Sequence, residues 1–277
     1  MGNRPFMPGS NLYGPSESIW GNVPVDQIFA FQDRSCGFGF HDDFIRFGNT
    51  SLYDGYIRMV TASCAVQQID SEANHPGIVQ LYGVGDTLDD ECVLQAGNGL
   101  DDGPFKLADH GLAFEGYIRA SAITAAKWSW FLGLATGGAA GAGITDLLFD
   151  DAEALYATND FIGFQHLLAE GAALDGMYQA SGQTKVDGAV NTDLDTIHTL
   201  VATEWVKLGL LYTPYPRRLG WHVNGVEVAH IGQAALDAAA FPDATFLQPT
   251  FGMKDGAGNE ALNLDKDWWR VAQITCW

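Results

Sequence analysis

The sequence predicts an all-β protein, an antiparallel sandwich preceded by an extended N-terminal arm. Three observations carry that prediction. Short apolar runs rich in β-branched and aromatic residues recur at close spacing from residue 32 onward. Glycine makes up 33 of 277 residues, above the usual share of roughly 7%, as a fold with many turns requires. Asn224-Gly225 joins two apolar arms, and this dipeptide is the strongest short hairpin signal because both residues tolerate positive φ. Long helical periods do not intervene between the runs, which favours stacked sheets over βαβ units.

The elements follow in chain order. Residues 1–30 hold four of the ten prolines, at Pro5, Pro8, Pro15 and Pro24, with Gly2, Gly9, Gly14 and Gly21 between them. Proline fixes φ and removes a ladder donor, so this stretch reads as an extended arm. Its apolar residues Phe6, Met7, Leu12, Tyr13, Ile19 and Trp20 need a surface, either on this chain or on a neighbouring subunit. Residues 31–277 read as one domain. Strands are expected within 38–47, before the turn at Gly48-Asn49, and at 56–60, 77–82, 92–96 and 112–122. In the last of these Phe114, Gly116, Ile118 and Ala120 alternate with Glu115, Tyr117, Arg119 and Ser121. That period of two predicts a half-buried strand with one polar face.

Residues 128–134 form a strongly apolar run, followed by a glycine-rich loop. A short helix is expected over 146–156, with Thr145 as its cap and Asp150, Asp151 and Glu153 on the wet face. Three strands are expected at 161–168, 172–180 and 197–212. The hairpin 219–223/226–231 follows, then a helical patch at 233–240 before Pro242, then strands at 245–253 and 267–277.

The formal charge of −20, from 34 acidic and 14 basic residues, argues against a nucleic-acid partner, which needs a basic footprint. No run approaches the ~18 apolar residues of a membrane span. The N-terminus lacks the pattern of a secretory signal, so a soluble product synthesised in the cytoplasm is expected. Cys36, Cys64, Cys92 and Cys276 form no CxxC pair, and reduced, buried thiols are expected. The seven histidines show no HExxH or HxH spacing, and no GxSxG elbow, Walker loop or dinucleotide fingerprint is present. No enzymatic activity is expected.

Three groups of residues still invite a chemical reading. Asp193, Asp195 and His198 stand in NTDLDTIH; on a strand, residues 193 and 195 share a face and would pair two carboxylates, as glycosidases do. The ExDxxE pattern of concanavalin-fold glycosidases is not met, because Asp and His replace both glutamates, so a polar strand edge is expected instead. Acidic clusters at Asp42-Asp43, 86–91, Asp101-Asp102 and Asp150-Asp151 leave calcium as the one cofactor the sequence admits, although none forms a DxDxDG loop and solvated loops account for them. Most of the eight Trp and sixteen Phe residues lie in alternating apolar runs and belong to the core. Phe6, Trp20 and one of the adjacent pair Trp268 and Trp269 are the candidates for an exposed interface, since neighbours on a strand face opposite ways.

Several short segments, in order, resemble tailed-phage virion proteins with concanavalin-A/laminin-G-like jelly-roll domains. They are 114–119 (FEGYIR), 131–134 (FLGL), 161–164 (FIGF), 221–225 (WHVNG), 247–251 (LQPTF) and 267–271 (DWWRV), so the resemblance spans roughly residues 110–277. It implies a jelly-roll sandwich and a structural role as a capsid decoration (cement) protein. It also implies the major capsid protein as partner, a homo-oligomer with a trimer favoured, and the capsid surface of the virion as location. A lectin-like glycan-binding module and, behind it, a glycoside hydrolase are the alternatives on the same fold.

Overall fold

In the computed structural model the described residues are 14–30, 32–44, 56–60, 64–69, 72–75, 77–83, 90–96, 103–108, 110–123, 128–137, 159–167, 170–255 and 262–275. Phe6, the helix expected over 146–156, most of the glycine-rich loop after residue 135, Cys276 and the acidic positions 86–89, 101–102 and 150–151 lie outside them.

The predicted antiparallel sandwich is present. Its strands are β1 (Gly37–Asp42), β2 (Tyr56–Val60), β3 (Cys64–Ile69), β4 (Ile78–Gly83), β5 (Glu91–Ala96), β6 (Gly111–Ala120), β7 (Trp128–Ala135) and β8 (Phe161–His166). They continue with β9 (Ala173–Gln179), β10 (His198–Thr199), β11 (Trp205–Pro214), β12 (Arg217–Val223), β13 (Val226–Gly232), β14 (Gln248–Asp255) and β15 (Leu262–Ile274). One sheet runs β13-β12-β11-β6-β15-β4-β3, with β1 also on β15; the other runs β10-β9-β8-β7-β14-β5-β2. The thirteen residues of β15 serve two neighbours end to end, β4 beside Leu262–Lys266 and β1 beside Trp269–Ile274.

The core lies between the sheets and is built from alternate residues of each strand. Phe114 and Ile118 of β6, Trp130, Leu132 and Leu134 of β7, Leu208 and Leu210 of β11 and Phe251 of β14 all enter it. The hairpin β12–β13 turns at Asn224 (φ 50°) and Gly225 (φ 78°), as the sequence predicts. Asn224 also accepts a hydrogen bond from the Lys207 amide through its side chain at 3.0 Å, which stitches the tip to β11.

Four expectations are corrected. The described part of the arm, residues 14–30, is not extended. It folds into the α-helical turn α1 (Glu17–Trp20) and a π-helical turn (Asp26–Ala30). Ile19, Trp20, Val23 and Ile28 bury themselves on Ala113, Ala272 and Ile274 of the eight-stranded sheet, so this chain supplies the surface the arm needs. Nor is β6 half-buried: on its expected polar face the arm covers Glu115, while His75, Trp205 and Trp268 pack against Tyr117, and both are buried. The strand expected over 197–212 is interrupted, because residues 200–204 form a turn in which Thr203 takes a positive φ of 65°. The helix expected over 233–240 is the single turn α2 (Gln233–Leu236). Among the cysteines, Cys92 is buried and Cys36 and Cys64 are half-buried; all three are thiols outside any disulfide, and Cys36 donates to the Gln27 side chain at 2.7 Å.

Candidate functional site

The outer face of the eight-stranded sheet gathers the most organised polar chemistry among the described residues. Its centre is Glu115, fully buried in the middle of β6. One carboxylate oxygen accepts the Ser16 backbone N–H at 2.9 Å and the Trp20 indole N–H at 3.0 Å. On the flanking strands Lys207 donates to the Gly14 carbonyl at 3.1 Å. The Arg270 guanidinium lies over the Trp20 and Phe29 rings at 5.3 and 5.4 Å. Burial pushes the Glu115 carboxyl up, against the pull of its hydrogen bonds to Ser16 and Trp20 and of the Lys207 charge. Burial likewise pushes Lys207 and Arg270 down, and Glu115 opposes both shifts. The opposite charges thus favour one another's ionised forms beside the arm.

Small residues make room for it. A Cβ on Gly209, opposite Glu115, would stand 2.2 Å from the end of the Ile19 side chain, so any side chain there displaces Ile19 from its seat.

Beside the clamp, five residues directly opposite one another cross the sheet: Gln67, Gln80, Asp265, Arg119 and Trp205. Gln67 donates to Gln80 at 3.0 Å, and Gln80 to Asp265 at 2.8 Å. Arg119 donates to Asp265 at 2.6 Å and, through two nitrogens, to Glu72 at 2.9 and 2.8 Å. Its guanidinium carbon stands 4.7 Å from the Trp205 ring centroid. His75 stacks on Trp205 at 4.5 Å and pairs with Asp267 at 2.9 Å. The ladder is a rigid strip of fixed donors and acceptors, part of it open to solvent through Glu72 and Arg119.

Two of the four interface candidates meet here, but neither is exposed. Trp20 is 6% exposed because the arm folds back and its indole caps Glu115. Trp268 faces the outer side, as alternation predicts, yet is also 6% exposed, beside Tyr117 on a surface that is itself covered. Trp269 points into the core, donates to Tyr56 at 3.0 Å and is fully buried. Glu115, Lys207, Arg270 and the ladder escaped the sequence reading, which placed charged residues on solvent. The signal available was the row of small residues, Ala113, Gly209 and Ala272, facing the same way.

Asp193 and Asp195 do not share a strand face. Thr192–Leu194 is a 3-10 turn, capped by the Asn191 side chain on the Asp193 amide. The acidic neighbourhood here is different: Asp175, buried on β9, accepts the Thr196 amide at 2.7 Å, with Glu170, Asp187 and Asp195 around it. Burial and then Asp175 push Glu170 up to about 7, and burial pushes Asp175 up as well. Lys185 compensates Asp187 at 2.7 Å. Asp42 is committed to the Phe44 amide and the Tyr56 hydroxyl, at 2.7 and 2.6 Å. No group of three acidic, His or Cys side chains able to hold a metal occurs among the described residues.

No protein-family model matches the chain, and no curated protein matches its sequence. Solved structures do match its fold. A protein of unknown function from Shewanella oneidensis MR-1 aligns over 87% of this chain and 89% of its own, with a TM-score of 0.53 and 16% identity. The galactose-bound lectin UEA-II aligns over 86% and 99%, with a TM-score of 0.50 and 10% identity. The fold is the concanavalin-like jelly roll. A glycoside hydrolase family protein from Mycobacterium thermorestibile shares the jelly roll at a TM-score of 0.51 and 10% identity, over 84% of this chain and 99% of its own. Lectins and hydrolases alike are built on it, and identities this low establish the architecture alone.

Proposed function

We propose that this chain is a structural protein of a tailed-phage virion, made in the host cytoplasm, that decorates the capsid by contacting the major capsid protein. The observation that carries the reading is the clamped arm. Glu115, Lys207 and Arg270 fix residues 14–20 at one point on the outer sheet. The described part of the arm is thereby held at one point on the outer sheet, the face this reading turns toward the shell. Beside the clamp, the cross-strand ladder holds Arg119 and Glu72 in fixed positions where they reach solvent, and preorganisation lowers the entropic cost of docking on the shell. The order of segments shared with phage jelly-roll virion proteins supports the same reading. So does the net charge of −20, which opposes unspecific self-association before assembly. In this role the protein is non-catalytic and assembles as a closed homo-oligomer, a trimer by preference.

Quantitative mass spectrometry of purified particles from the native source tests the proposal. Copies on the order of hundreds, in simple ratio to the major shell protein, are expected for a symmetric decoration. Absence from particles refutes the virion role, and a handful of copies moves the protein from the shell to a tail or fibre.

A further inference from the structure

Two of the cysteines meet where the sheets converge. The chain leaves β2 at Val60, the partner of Cys92 on β5, and enters β3 at Cys64, the partner of Gly83 on β4. One corner of the sandwich thus carries strand ends from both layers: β3 ends the described order of one sheet, and β5 lies in the other. Cys92 is buried in the core, and the half-buried Cys64 packs against the same core from the facing sheet. The Cys92 sulfur stands 3.7 Å from the Ala65 carbonyl oxygen and 3.5 Å from that of Tyr82. Ala65 and Tyr82 are the ladder pair next to Cys64 and Gly83, so Cys92 reaches across the layer to the backbone beside Cys64. There the two thiols hydrogen-bond each other. Facing sheets ordinarily pack about 10 Å apart, but Cα atoms of β3 and β5 approach within 8 Å. Thiols already in contact need only side-chain rotation to reach a sulfur–sulfur bond of about 2.05 Å.

We propose that Cys64 and Cys92 are an oxidation site, closing a disulfide that staples β3 to β5 when the folded protein passes from a reducing to an oxidising medium. The oxidant is a small disulfide such as oxidised glutathione. Burial, and then the neighbouring Cys64 thiol, push the Cys92 thiol up, so the half-buried Cys64 is the point of entry. Its thiolate attacks one sulfur of the small disulfide and expels one thiolate. The Cys92 thiol then gives its proton to that thiolate, attacks the Cys64 sulfur and expels the second. The two cysteines lose two electrons and two protons, and the small disulfide becomes two thiols. The bond closes the segment between residues 64 and 92 into a loop and so restricts the unfolded chain. Cys36 is committed elsewhere, to the Gln27 side chain at 2.7 Å. The site does not depend on the virion role.

The test uses the full-length protein, folded and fully reduced. It is incubated with oxidised glutathione at about pH 8, where free cysteine is partly thiolate, and remaining thiols are then blocked with iodoacetamide. Peptide mass spectrometry without reduction should find the peptides of Cys64 and Cys92 joined, two hydrogens lighter than their sum. The oxidised protein should melt roughly 5–10 °C above the reduced one, and dithiothreitol should reverse both results. Both readings use the native sequence, so neither depends on a variant folding. Cys64→Ser, at the half-buried position, should lose the link and the shift together. Glutathione left on Cys64 in place of the link, a link from Cys64 to Cys36 or Cys276, or unreacted thiols at both positions overturns the inference. So does a link that forms only in urea, or an oxidised protein that melts no higher than the reduced one. A rise that survives in Cys64→Ser assigns the effect to another cysteine and does the same.

Discussion

Lys266 is the residue whose chemistry departs furthest from its sequence context. It sits wholly inside the core with its amine 3.0 Å from the Trp269 ring centroid and 4.7 Å from those of Phe44 and Phe251. No hydrogen-bond partner meets it among the described residues. Burial pushes its pKa well below the ordinary lysine value, and Asp42 only partly opposes the shift. The sign of the linkage follows. The unfolded chain keeps a proton that the folded chain releases, so the cost to stability is full below the folded pKa and fades as pH rises through about 10.4. Lys266→Met should therefore stabilise the fold by roughly 1–4 kcal/mol near neutral pH and by less near pH 10. Denaturant midpoints at the two pH values check this, and a loss of stability at neutral pH would contradict it. Glu170 gives a second test at this scale. Its folded pKa of about 7 lies above the ordinary value of 4.5, so its stability contribution is present below about 4.5 and lost as pH rises toward 7. Asp175→Asn should return the Glu170 titration toward 4.5 and flatten that loss, both readable by carboxyl NMR and thermal melts.

At the scale of elements the arm and the strands it covers are one unit. Residues 14–30 form only one α-helical and one π-helical turn, too short to stand alone in water. They are stabilised by Ala113, Gly209, Ala272 and the Glu115 carboxylate. Glu115→Ala should strand the Ser16 and Trp20 donors and cost roughly 1–3 kcal/mol. Gly209→Val should expel Ile19 by volume alone. In both variants, hydrogen exchange is expected to rise in 14–30 while β7, β8 and β14 stay protected. Equal loss of protection everywhere would show that the arm has no separate identity. The hairpin at Asn224-Gly225 was legible because its turn chemistry is local. Glu115 was not: period two reports which way a side chain points, while its partner Ser16 lies 99 residues away.

At the scale of the whole molecule, net charge governs behaviour. With a net charge of −20, self-repulsion opposes the compact state. Raising ionic strength from about 0.01 to 0.15 M shortens the screening length from roughly 30 to 8 Å. The melting temperature should rise across that range; a fall would mean that the surface ion pairs, such as Arg218 with Glu227 and Arg217 with Asp237, outweigh the repulsion. The sequence by itself determined the sandwich class, the hairpin and most strands, because alternation and turn residues act within a few positions. Only the tertiary structure decided that the arm folds back on its own sheet. It alone made Glu115, Trp20 and Trp268 interior residues and brought Asp175 rather than Asp193 to the acidic cluster. The reason is physical: a strand's pattern fixes its two faces, but which of them meets water depends on what distant segments lie across it.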